Sequence, residues 1–259
     1  MNYQMIIVER KKRVGIIILN RPEKRNALNT QLEEEILEAL RGLENDSRIG
    51  AVIIRGAGSS FCSGHDFSEL RGKTVVELRR VFRQSLHLVE TINAMGKPVI
   101  AAVRGYAIAM GCALAAGCDL VVASEDASFQ LPGASFGIAC ISPATVVCRS
   151  VGRKKCLELL LTADSINAHQ AERAGLVNRV VSIEELNSVA EGLAERIARN
   201  APLALQLGKQ ALYTMSGMVP GQAYNYAAEM MSINADTEDG QEGVASFLEK
   251  RKIQPWKSR

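Results

Sequence analysis

The sequence predicts an α/β domain that continues into a helical C-terminal region. Three strongly apolar runs of the kind found in buried strands, AVIIR, PVIAAV and DLVVA, alternate with longer segments of helical periodicity. Short hairpin turns are missing after the first pair of strands, so we expect parallel pairing through helical crossovers. From Ser142 onward the pattern changes to helices almost without strands. The chain is therefore predicted to combine a mostly parallel sheet with an all-helical end.

The first elements are a predicted hairpin and two amphipathic helices. β-Branched runs at residues 6–10 and 14–19 flank the basic turn KKR. Apolar residues then recur at helical spacing from Thr30, and Thr30 with Glu33 matches a capping box, which predicts the helix start. The strand AVIIR leads into the loop GAGSSFCSGHDF, and a second helix is predicted over residues 71–93.

The later elements are mostly helical. The strand PVIAAV precedes the segment GYAIAMGCALAAG, and the strand DLVVA follows it. Further helices are predicted at 144–150, 154–161, 168–174, 184–199, 203–213, 221–235 and 237–250. We divide the chain into a core at residues 1–200 and a helical oligomerisation region at residues 201–259. A helical tail on an α/β core often packs on a neighbouring subunit, so we expect a homo-oligomer.

Composition and charge exclude several classes of protein. The 259 residues are 47% apolar, which excludes a mostly disordered chain, and the net charge of +3 predicts no nucleic-acid-binding stripe. Six cysteines without a CxxC pair argue against a zinc site and a disulfide framework, and we expect neither a metal nor a permanently bound cofactor. The least polar stretch, GYAIAMGCALAAGC, is shorter than the ~20 residues that cross a bilayer. No export signal is visible at the N-terminus, so we predict a cytoplasmic protein without a membrane span.

Two loops at the ends of neighbouring strands carry the predicted chemistry. FCSGHDF follows AVIIR, and Gly64 permits a backbone turn that exposes the next amides. RGYAIAMGCALAAGCDL follows PVIAAV and begins a helix, whose unpaired N–H groups favour an oxyanion. Each loop can direct one amide at a single carbonyl oxygen. Thioester chemistry needs this arrangement because an enolate or a tetrahedral oxyanion develops at that oxygen.

Several segments, the two loops among them, point to one family. In order, they are LNRPEKRNALN, FCSGHDF, RGYAIAMGCALAAGCDL, SFQLPGASFGI, LTADSINAHQAERAGLVNRVV and DGQEGVASFLEKRK. With them, nearly the whole chain resembles the enoyl-CoA hydratase/isomerase (crotonase) family. The resemblance implies a spiral of ββα units with a C-terminal helical trimerisation region, in a homotrimer or a dimer of trimers. It also implies an acyl-CoA thioester as substrate or ligand.

The resemblance assigns roles to individual positions. The amides of His65 and Met110 fall where the family has its two oxyanion donors. Cationic side chains near the coenzyme A phosphates would pair with anionic oxygens. The positions that the resemblance places near coenzyme A are Lys24, Arg25, Cys62, Ser63, Asp66 and Lys250.

Two positions depart from the family's pattern. The family's hydratases have glutamates that deprotonate water and deliver a proton to carbon, and the matching positions here hold Ala113 and Gly133. Neither residue can move a proton. Two side chains are candidates to replace these groups, the imidazole of His65, which titrates near neutral pH, and the thiol of Cys140, which could attack a thioester as a thiolate.

Several functions therefore stay open. The chain is an enzyme that acts on acyl-CoA with an unusual acid/base group, a thioester hydrolase that uses Cys140 or His65, or a non-catalytic acyl-CoA-binding protein that regulates a lipid pathway. A serine peptidase of the related Clp type needs a Ser/His/Asp set, and the scarcity of histidines argues against it. We expect a hydrocarbon rather than a carboxylated acyl group because the predicted pocket wall is apolar. The predicted wall residues are Phe67, Leu70, Val75, Phe82, Phe136 and Ile141.

Overall fold

A computed structural model describes residues 3–258 and places two β-sheets among helices. The strands are β1 (Ile6–Lys11), β2 (Val14–Leu19), β3 (Ala51–Gly56), β4 (Val99–Val103), β5 (Tyr106–Ile108), β6 (Leu120–Ser124), β7 (Ser128–Gln130), β8 (Ser165–Asn167) and β9 (Arg179–Val181). The helices are α1 (Thr30–Glu44), α2 (Val75–Ala94), α3 (Met110–Gly117), α4 (Ile141–Thr162), α5 (Ala168–Arg173), α6 (Leu186–Ile197), α7 (Pro202–Met215), α8 (Pro220–Asp236) and α9 (Glu238–Leu248). One-turn 3-10 helices lie at Pro22–Lys24, Phe67–Glu69 and Pro132–Phe136.

The predicted parallel sheet is present. Within residues 3–258, six strands form the larger sheet in the order β1-β2-β3-β4-β6-β9, and β5, β7 and β8 form the smaller one. The β1–β2 hairpin is antiparallel, and every other pair of neighbours in the larger sheet is parallel. β2 and β4 are buried along their whole length because helices cover both faces, which explains their uninterrupted apolar sequences.

Successive strand pairs are divided between the two sheets. β4 belongs to the larger sheet and β5 to the smaller one, and α3 follows them. β6, β7 and α4 repeat the same pattern. These are the ββα units that the family resemblance implies. The sequence analysis missed β5, β7, β8 and β9, because three residues are too few to show an alternating pattern.

The start of α1 corrects one prediction. The helix begins at Thr30 as expected, but Asn29 caps it, and its side chain accepts a hydrogen bond from the Leu32 N–H at 2.9 Å. The predicted capping box of Thr30 and Glu33 is wrong because Glu33 is only 2% exposed and its carboxylate accepts a hydrogen bond from Ser85 instead. The carboxyl group of Glu33 thus faces α2 rather than solvent.

Two further helix boundaries differ from the prediction. α2 begins at Val75 rather than at residue 71, because Thr74 and Glu77 form a capping box there. The helices predicted at 144–150 and 154–161 are joined in α4, whose backbone breaks at Gly152 with a φ of +74°. The start of α2 is thus decided by polar capping side chains and the break in α4 by the backbone conformation of a glycine, and apolar spacing shows neither.

A partly buried ion pair holds α7 on the core. Nζ of Lys209 lies 2.8 Å from a carboxylate oxygen of Asp119, and it also donates to the Ile92 carbonyl at 2.8 Å. The hydroxyl of Tyr213 donates to the other Asp119 oxygen at 2.9 Å.

Farther along, no side chain within residues 220–236 of α8 is buried. Large apolar side chains exposed on α7–α9 are Leu212, Tyr224, Met231, Ile233, Val244, Phe247 and Leu248.

The helices of residues 3–258 include none that is long and apolar enough to cross a membrane.

Candidate functional site

The two predicted loops run side by side. The Cys62 N–H donates to the Tyr106 carbonyl at 3.0 Å, and the Cys62 carbonyl accepts from the Ile108 N–H at 2.9 Å. This is parallel pairing, so both chains proceed in the same direction from the paired residues. His65 lies three residues beyond Cys62 and Met110 lies two beyond Ile108. The pairing therefore brings the two amides named in the sequence analysis to one end of the paired segment.

Both amides are unpaired. Across residues 3–258, neither the His65 N–H nor the Met110 N–H donates a hydrogen bond to a protein group. Met110 is the first residue of α3, so its N–H has no partner within the helix. A Cβ atom at Gly64, just before His65, would lie 3.3 Å from the Met110 nitrogen, which shows how closely the loops approach. Two adjacent free amides at a helix N-terminus can bind an oxygen that gains negative charge.

The backbone around these amides is under steric constraint. Gly64 has a φ of +89°, and Ala109, the residue before Met110, has a φ of +50° and a ψ of −116°. An alanine in that region is strained, and the Ala109 N–H holds it in place by donating to the Gln130 carbonyl at 2.8 Å. A Cβ at Gly111 would lie only 2.1 Å from the Cys62 carbonyl oxygen. Only glycine at position 111 allows the first turn of α3 to approach the neighbouring loop.

A cavity of about 830 Å³ opens beside the amides, and His65 and Ala109 contribute to its lining. Five of the six predicted wall residues line it, namely Phe67, Leu70, Phe82, Phe136 and Ile141. Val75 is not among the lining residues; it is the first residue of α2 and is 70% exposed. The rings of Phe67 and Phe136 meet edge to face with centroids 6.1 Å apart, and both rings are more than half exposed. The part of the cavity wall formed by these aromatic and aliphatic side chains is thus apolar out to its exposed rim.

Only some of the residues predicted near coenzyme A line the cavity. Lys24 and Ser63 line the cavity, and the exposed Arg25 places its guanidinium 5.5 Å from the centre of the Tyr106 ring. Neither Lys24 nor Arg25 forms an ion pair with an acidic side chain of residues 3–258, so both cations are available to an anion. Lys250 is exposed after α9 and does not line the cavity.

Two residues of the first loop have structural partners. Cys62 is fully buried, and burial raises the pKa of its thiol to about 12, so its contribution is the backbone pairing described above. Asp66 lines the cavity, but its carboxylate accepts hydrogen bonds from Ser68 and forms an ion pair with Arg21 at 3.0 Å. The Ser68 and Arg21 donors hold the pKa of Asp66 below its ordinary value. Asp66 is therefore an ionised group that orders the loop.

Neither position of the missing glutamates offers an acid/base group. Ala113 lies on α3, is fully buried and does not line the cavity. Gly133 lines the cavity, but a Cβ there would lie 1.9 Å from the Ile138 carbonyl oxygen and 2.8 Å from Cys140 Sγ. The turn that begins at Pro132 therefore closes over position 133 and leaves no space for a side chain.

The thiol of Cys140 is not activated. Its Sγ accepts a hydrogen bond from the Gly133 N–H at 3.3 Å, and the residue is 7% exposed. Burial raises the pKa of this thiol, with the Gly133 N–H opposing part of that effect. A thiol with a raised pKa supplies little thiolate at neutral pH, so the surroundings of Cys140 do not favour nucleophilic attack.

The sequence analysis missed two polar side chains behind His65. Nε2 of His65 lies 2.7 Å from Ser85 Oγ, and Ser85 Oγ in turn donates to the carboxylate of Glu33. Burial lowers the pKa of His65 to about 4 and raises the pKa of Glu33 to about 7. A signal for Glu33 was present, because it lies three and four positions before Ile36 and Leu37 on the apolar face of α1. Within residues 3–258, no cluster of side chains suited to hold a metal ion is found.

Comparison with known proteins identifies the family of the chain. Residues 9–259 match the profile of the family described as "Enoyl-CoA hydratase/isomerase". A relative from Danio rerio, enoyl-CoA hydratase domain-containing protein 3, mitochondrial, is 38% identical over 249 residues, which cover 96% of this chain and 86% of the relative. The 2,3-dehydroadipyl-CoA hydratase of Escherichia coli is 38% identical over 247 residues, which cover 95% of this chain and 96% of the relative.

A solved structure extends the comparison to three dimensions. The crystal structure of an enoyl-CoA hydratase from Mycobacterium smegmatis superposes with a TM-score of 0.94 at 34% identity. The superposition covers 97% of this chain and 98% of the other. The mixed α/β fold predicted from the sequence, with its helical C-terminal region, is therefore confirmed.

Proposed function

The chain belongs to the enoyl-CoA hydratase/isomerase family, and from that premise we propose that it binds an acyl-CoA thioester with the carbonyl oxygen between two amides. The observation that carries the proposal is the pair of unpaired N–H groups of His65 and Met110, adjacent at an apolar cavity. Both amides strengthen their hydrogen bonds as negative charge develops on the oxygen. The available cations Lys24 and Arg25 support binding of the coenzyme A phosphates at the rim.

The usual glutamate-dependent hydration has no support in this chain. Ala113 and Gly133 lack proton-transfer groups, and the cavity wall near Gly133 is closed by the Ile138 carbonyl. A thioester hydrolase that uses Cys140 is also disfavoured, because burial raises the pKa of that thiol. Two alternatives remain: the protein is a non-catalytic acyl-CoA-binding protein, or it is an enzyme whose acid/base group lies elsewhere in the cavity.

A paired assay on the purified protein tests the proposed function. Calorimetry with butanoyl-CoA measures binding, and loss of the enoyl-thioester absorbance of crotonyl-CoA measures hydration. We expect binding of butanoyl-CoA without measurable hydration of crotonyl-CoA. Absence of binding would overturn the proposed thioester site, and rapid hydration would show that a water-activating group had been overlooked.

We expect the cavity to prefer a hydrocarbon acyl group. Among the lining residues of the described chain, Lys24 is the sole cation, so a terminal carboxylate deep in the apolar cavity would lose its hydration without gaining a partner. Hexanoyl-CoA should therefore bind at least ~10-fold more tightly than adipoyl-CoA, which has the same chain length and a terminal carboxylate. Competitive calorimetry measures both dissociation constants. Tighter binding of adipoyl-CoA would contradict this prediction.

The substitution Gly111→Ala should separate the two amides. The added Cβ, 2.1 Å from the Cys62 carbonyl oxygen, can be accommodated only if α3 moves away from the first loop. Loss of one hydrogen bond to the thioester should weaken butanoyl-CoA binding by about 10-fold, and the clash should lower the free energy of unfolding by about 1–3 kcal/mol. Gly42→Ala on α1 is the control, because a Cβ there meets no atom within 4 Å. Equal effects of the two substitutions would argue against close contact of the loops.

We also propose that the protein forms a homotrimer or a dimer of trimers through residues 201–259. The support is the apolar surface exposed on α7–α9, where Tyr224, Met231 and Phe247 are each at least 66% exposed. Large exposed apolar surfaces mark contacts with other chains. Light scattering of the full-length protein should give a mass of three or six chains. A monomeric mass would contradict this part of the proposal.

A further inference from the structure

A line of three hydrogen-bonded side chains leads from the cavity into the core. His65 is part of the cavity wall, and its Nε2 is 2.7 Å from Ser85 Oγ on α2. Ser85 is fully buried and donates to the carboxylate of Glu33 on α1. The Phe82 ring packs against the imidazole edge to face, with centroids 5.2 Å apart. The imidazole is thus held in one orientation and connected to a buried carboxyl group.

Packing alone does not explain a carboxyl group at position 33. Glu33 belongs to the apolar face of α1, where the side chains of Leu32, Ile36 and Leu37 are also buried. In the part of the chain that the structure describes, Ser85 is the single hydrogen-bond partner of the Glu33 carboxyl. Burial of a carboxylate with one partner is costly, and an apolar side chain would stabilise the fold more.

The hydrogen bonds of this line have two self-consistent arrangements. When Glu33 is ionised, Ser85 donates to it and accepts from the Nε2–H of His65, which leaves the lone pair of Nδ1 for a ligand. When Glu33 is protonated, each hydrogen bond reverses, and the imidazole carries its proton on Nδ1 instead. The imidazole is neutral in both arrangements. They differ by one proton, which enters the line at Nδ1 and is stored on Glu33.

The charges around the line favour storage on Glu33. Burial raises the pKa of Glu33 to about 7, and the nearby carboxylates of Glu69 and Glu34 raise it further against the Ser85 hydrogen bond. Burial lowers the pKa of His65 to about 4, with Glu69 opposing that effect, so a stable imidazolium is disfavoured at neutral pH. The Cys62 thiol, with its raised pKa, is neutral beside Glu33. The carboxyl group is therefore the member of the line that changes charge near neutral pH.

We propose that Glu33, Ser85 and His65 form a proton relay through which Nδ1 of His65 removes and returns a proton at the α-carbon of the bound acyl group. The proposal rests on the thioester site described above and deepens it. It makes His65 a catalytic residue through both its amide and its side chain, and it makes Glu33 and Ser85 residues that act through His65. The site then performs one-base enolisation, for which the positions of the missing glutamates are not needed.

The step balances in protons and charge. Nδ1 takes the α-proton, the electrons of the C–H bond form the carbon–carbon double bond of the enolate, and the carbonyl π electrons move to the oxygen held by the amides of His65 and Met110. At the same time the Nε2 proton passes to Ser85 and the Ser85 proton passes to Glu33. One negative charge moves from Glu33 to the enolate oxygen, and no imidazolium forms.

Reversal of the step defines the reaction class. When the Nδ1 proton is replaced by one from solvent, its return to the α-carbon exchanges that hydrogen with solvent. With a β,γ-unsaturated acyl-CoA, return to the γ-carbon moves the double bond into conjugation with the thioester. The relay thus predicts isomerisation of enoyl thioesters rather than addition of water.

Hydrogen exchange on a saturated substrate tests the relay without requiring any later step. Butanoyl-CoA is incubated with the protein in D₂O, and mass spectrometry measures deuterium at the α-carbon. The wild type should incorporate deuterium, and Glu33→Gln, Ser85→Ala and His65→Gln should each slow incorporation by about 100-fold or more. Calorimetric binding of butanoyl-CoA should change by less than about threefold in Glu33→Gln and Ser85→Ala, because neither side chain lines the cavity.

Two exposed residues provide matched controls. Glu38→Gln changes an exposed carboxyl group farther along α1, and His87→Gln changes another histidine on the same helix as Ser85. Both variants should exchange deuterium as fast as the wild type. Circular dichroism verifies that each variant is folded, and if Glu33→Gln is unfolded, His65→Gln at the cavity surface decides the test.

The pH profile separates a relay from a merely structural role. Proton removal needs ionised Glu33, whose pKa is raised to about 7, so the exchange rate should rise as the pH increases through about 7. This inflection should vanish in Glu33→Gln. Binding without exchange in the wild type, or unchanged exchange in Glu33→Gln, would overturn the relay and leave the thioester site intact. Absence of butanoyl-CoA binding would overturn the proposed function itself, and the relay with it.

Discussion

Restoring the missing glutamate at position 133 is expected to damage the fold and not to restore hydration. In Gly133→Glu, the new Cβ would lie 1.9 Å from the Ile138 carbonyl oxygen, and the carboxylate would enter a region that is buried in the present structure. Overpacking and the desolvation of a charge together should lower the free energy of unfolding by more than about 3 kcal/mol. Chemical denaturation and the crotonyl-CoA absorbance assay measure the two outcomes.

Two simpler substitutions separate the causes of this effect. Gly133→Ala adds the same Cβ without a charge, so it should retain most of the steric part of the loss. Gly192→Ala on α6 adds a Cβ that meets no atom within 4 Å, and it should stabilise the helix by about 0.5–1 kcal/mol. Hydration of crotonyl-CoA by Gly133→Glu, alone or combined with Ala113→Glu, would show that the turn at Pro132–Phe136 opens readily.

Removal of the ammonium group at position 209 should destabilise the protein by about 3–5 kcal/mol. Lys209 is 7% exposed and Asp119 is 14% exposed at the side chain, so Lys209→Met leaves a largely buried carboxylate without its cation. The carbonyl groups of Ile92 and Lys97, which accept from the same ammonium at 2.8 and 3.1 Å, also lose their donor. The midpoint of chemical denaturation should shift accordingly.

An exposed pair in the same protein is the control for this prediction. Lys155 and Glu158 on α4 lie 2.6 Å apart but are 37% and 57% exposed. Lys155→Met should therefore change the free energy of unfolding by less than about 1 kcal/mol. If Lys209→Met lowers the free energy of unfolding by no more than Lys155→Met does, Lys209 does not anchor α7 on the core.

The cavity combines features of binding with features of proton transfer. Its two free amides and apolar wall fit an acyl thioester, whereas the family's glutamate positions contribute nothing to acid/base chemistry here. In the proposed relay, Glu33 with its raised pKa is a base that is not on the cavity surface, and Ser85 and His65 connect it to that surface. The absence of the two glutamates and the proposed enolisation are therefore compatible within one fold.

Much of the fold followed from local patterns. The apolar runs of β3, β4 and β6 identified parallel strands because burial on both faces leaves no polar alternation in the sequence. The loop at Gly64 and the start of α3 were also recognisable, since Gly64 and the small residues after Met110 mark close backbone approach. Cytoplasmic location and the assignment of Lys250 to coenzyme A binding stay predictions.

Other features depend on partners that lie far apart in the sequence. Spacing indicated that position 33 faces the core, but only the packing of α2 on α1 brings Ser85, 52 positions away, to its carboxyl group. The wrong capping box at Thr30 has the same origin, because a short local motif cannot show that the glutamate has a tertiary partner.

The sequence by itself determined the family, the parallel strands and the absence of the two glutamates. Only the tertiary structure decided that Gly133 has no space for a side chain, that Cys140 is held as a neutral thiol, and that His65 is linked to Glu33. The physical reason is that periodicity records whether a residue is buried, whereas the neighbour it meets, its hydrogen bonds and its pKa depend on the arrangement of distant segments.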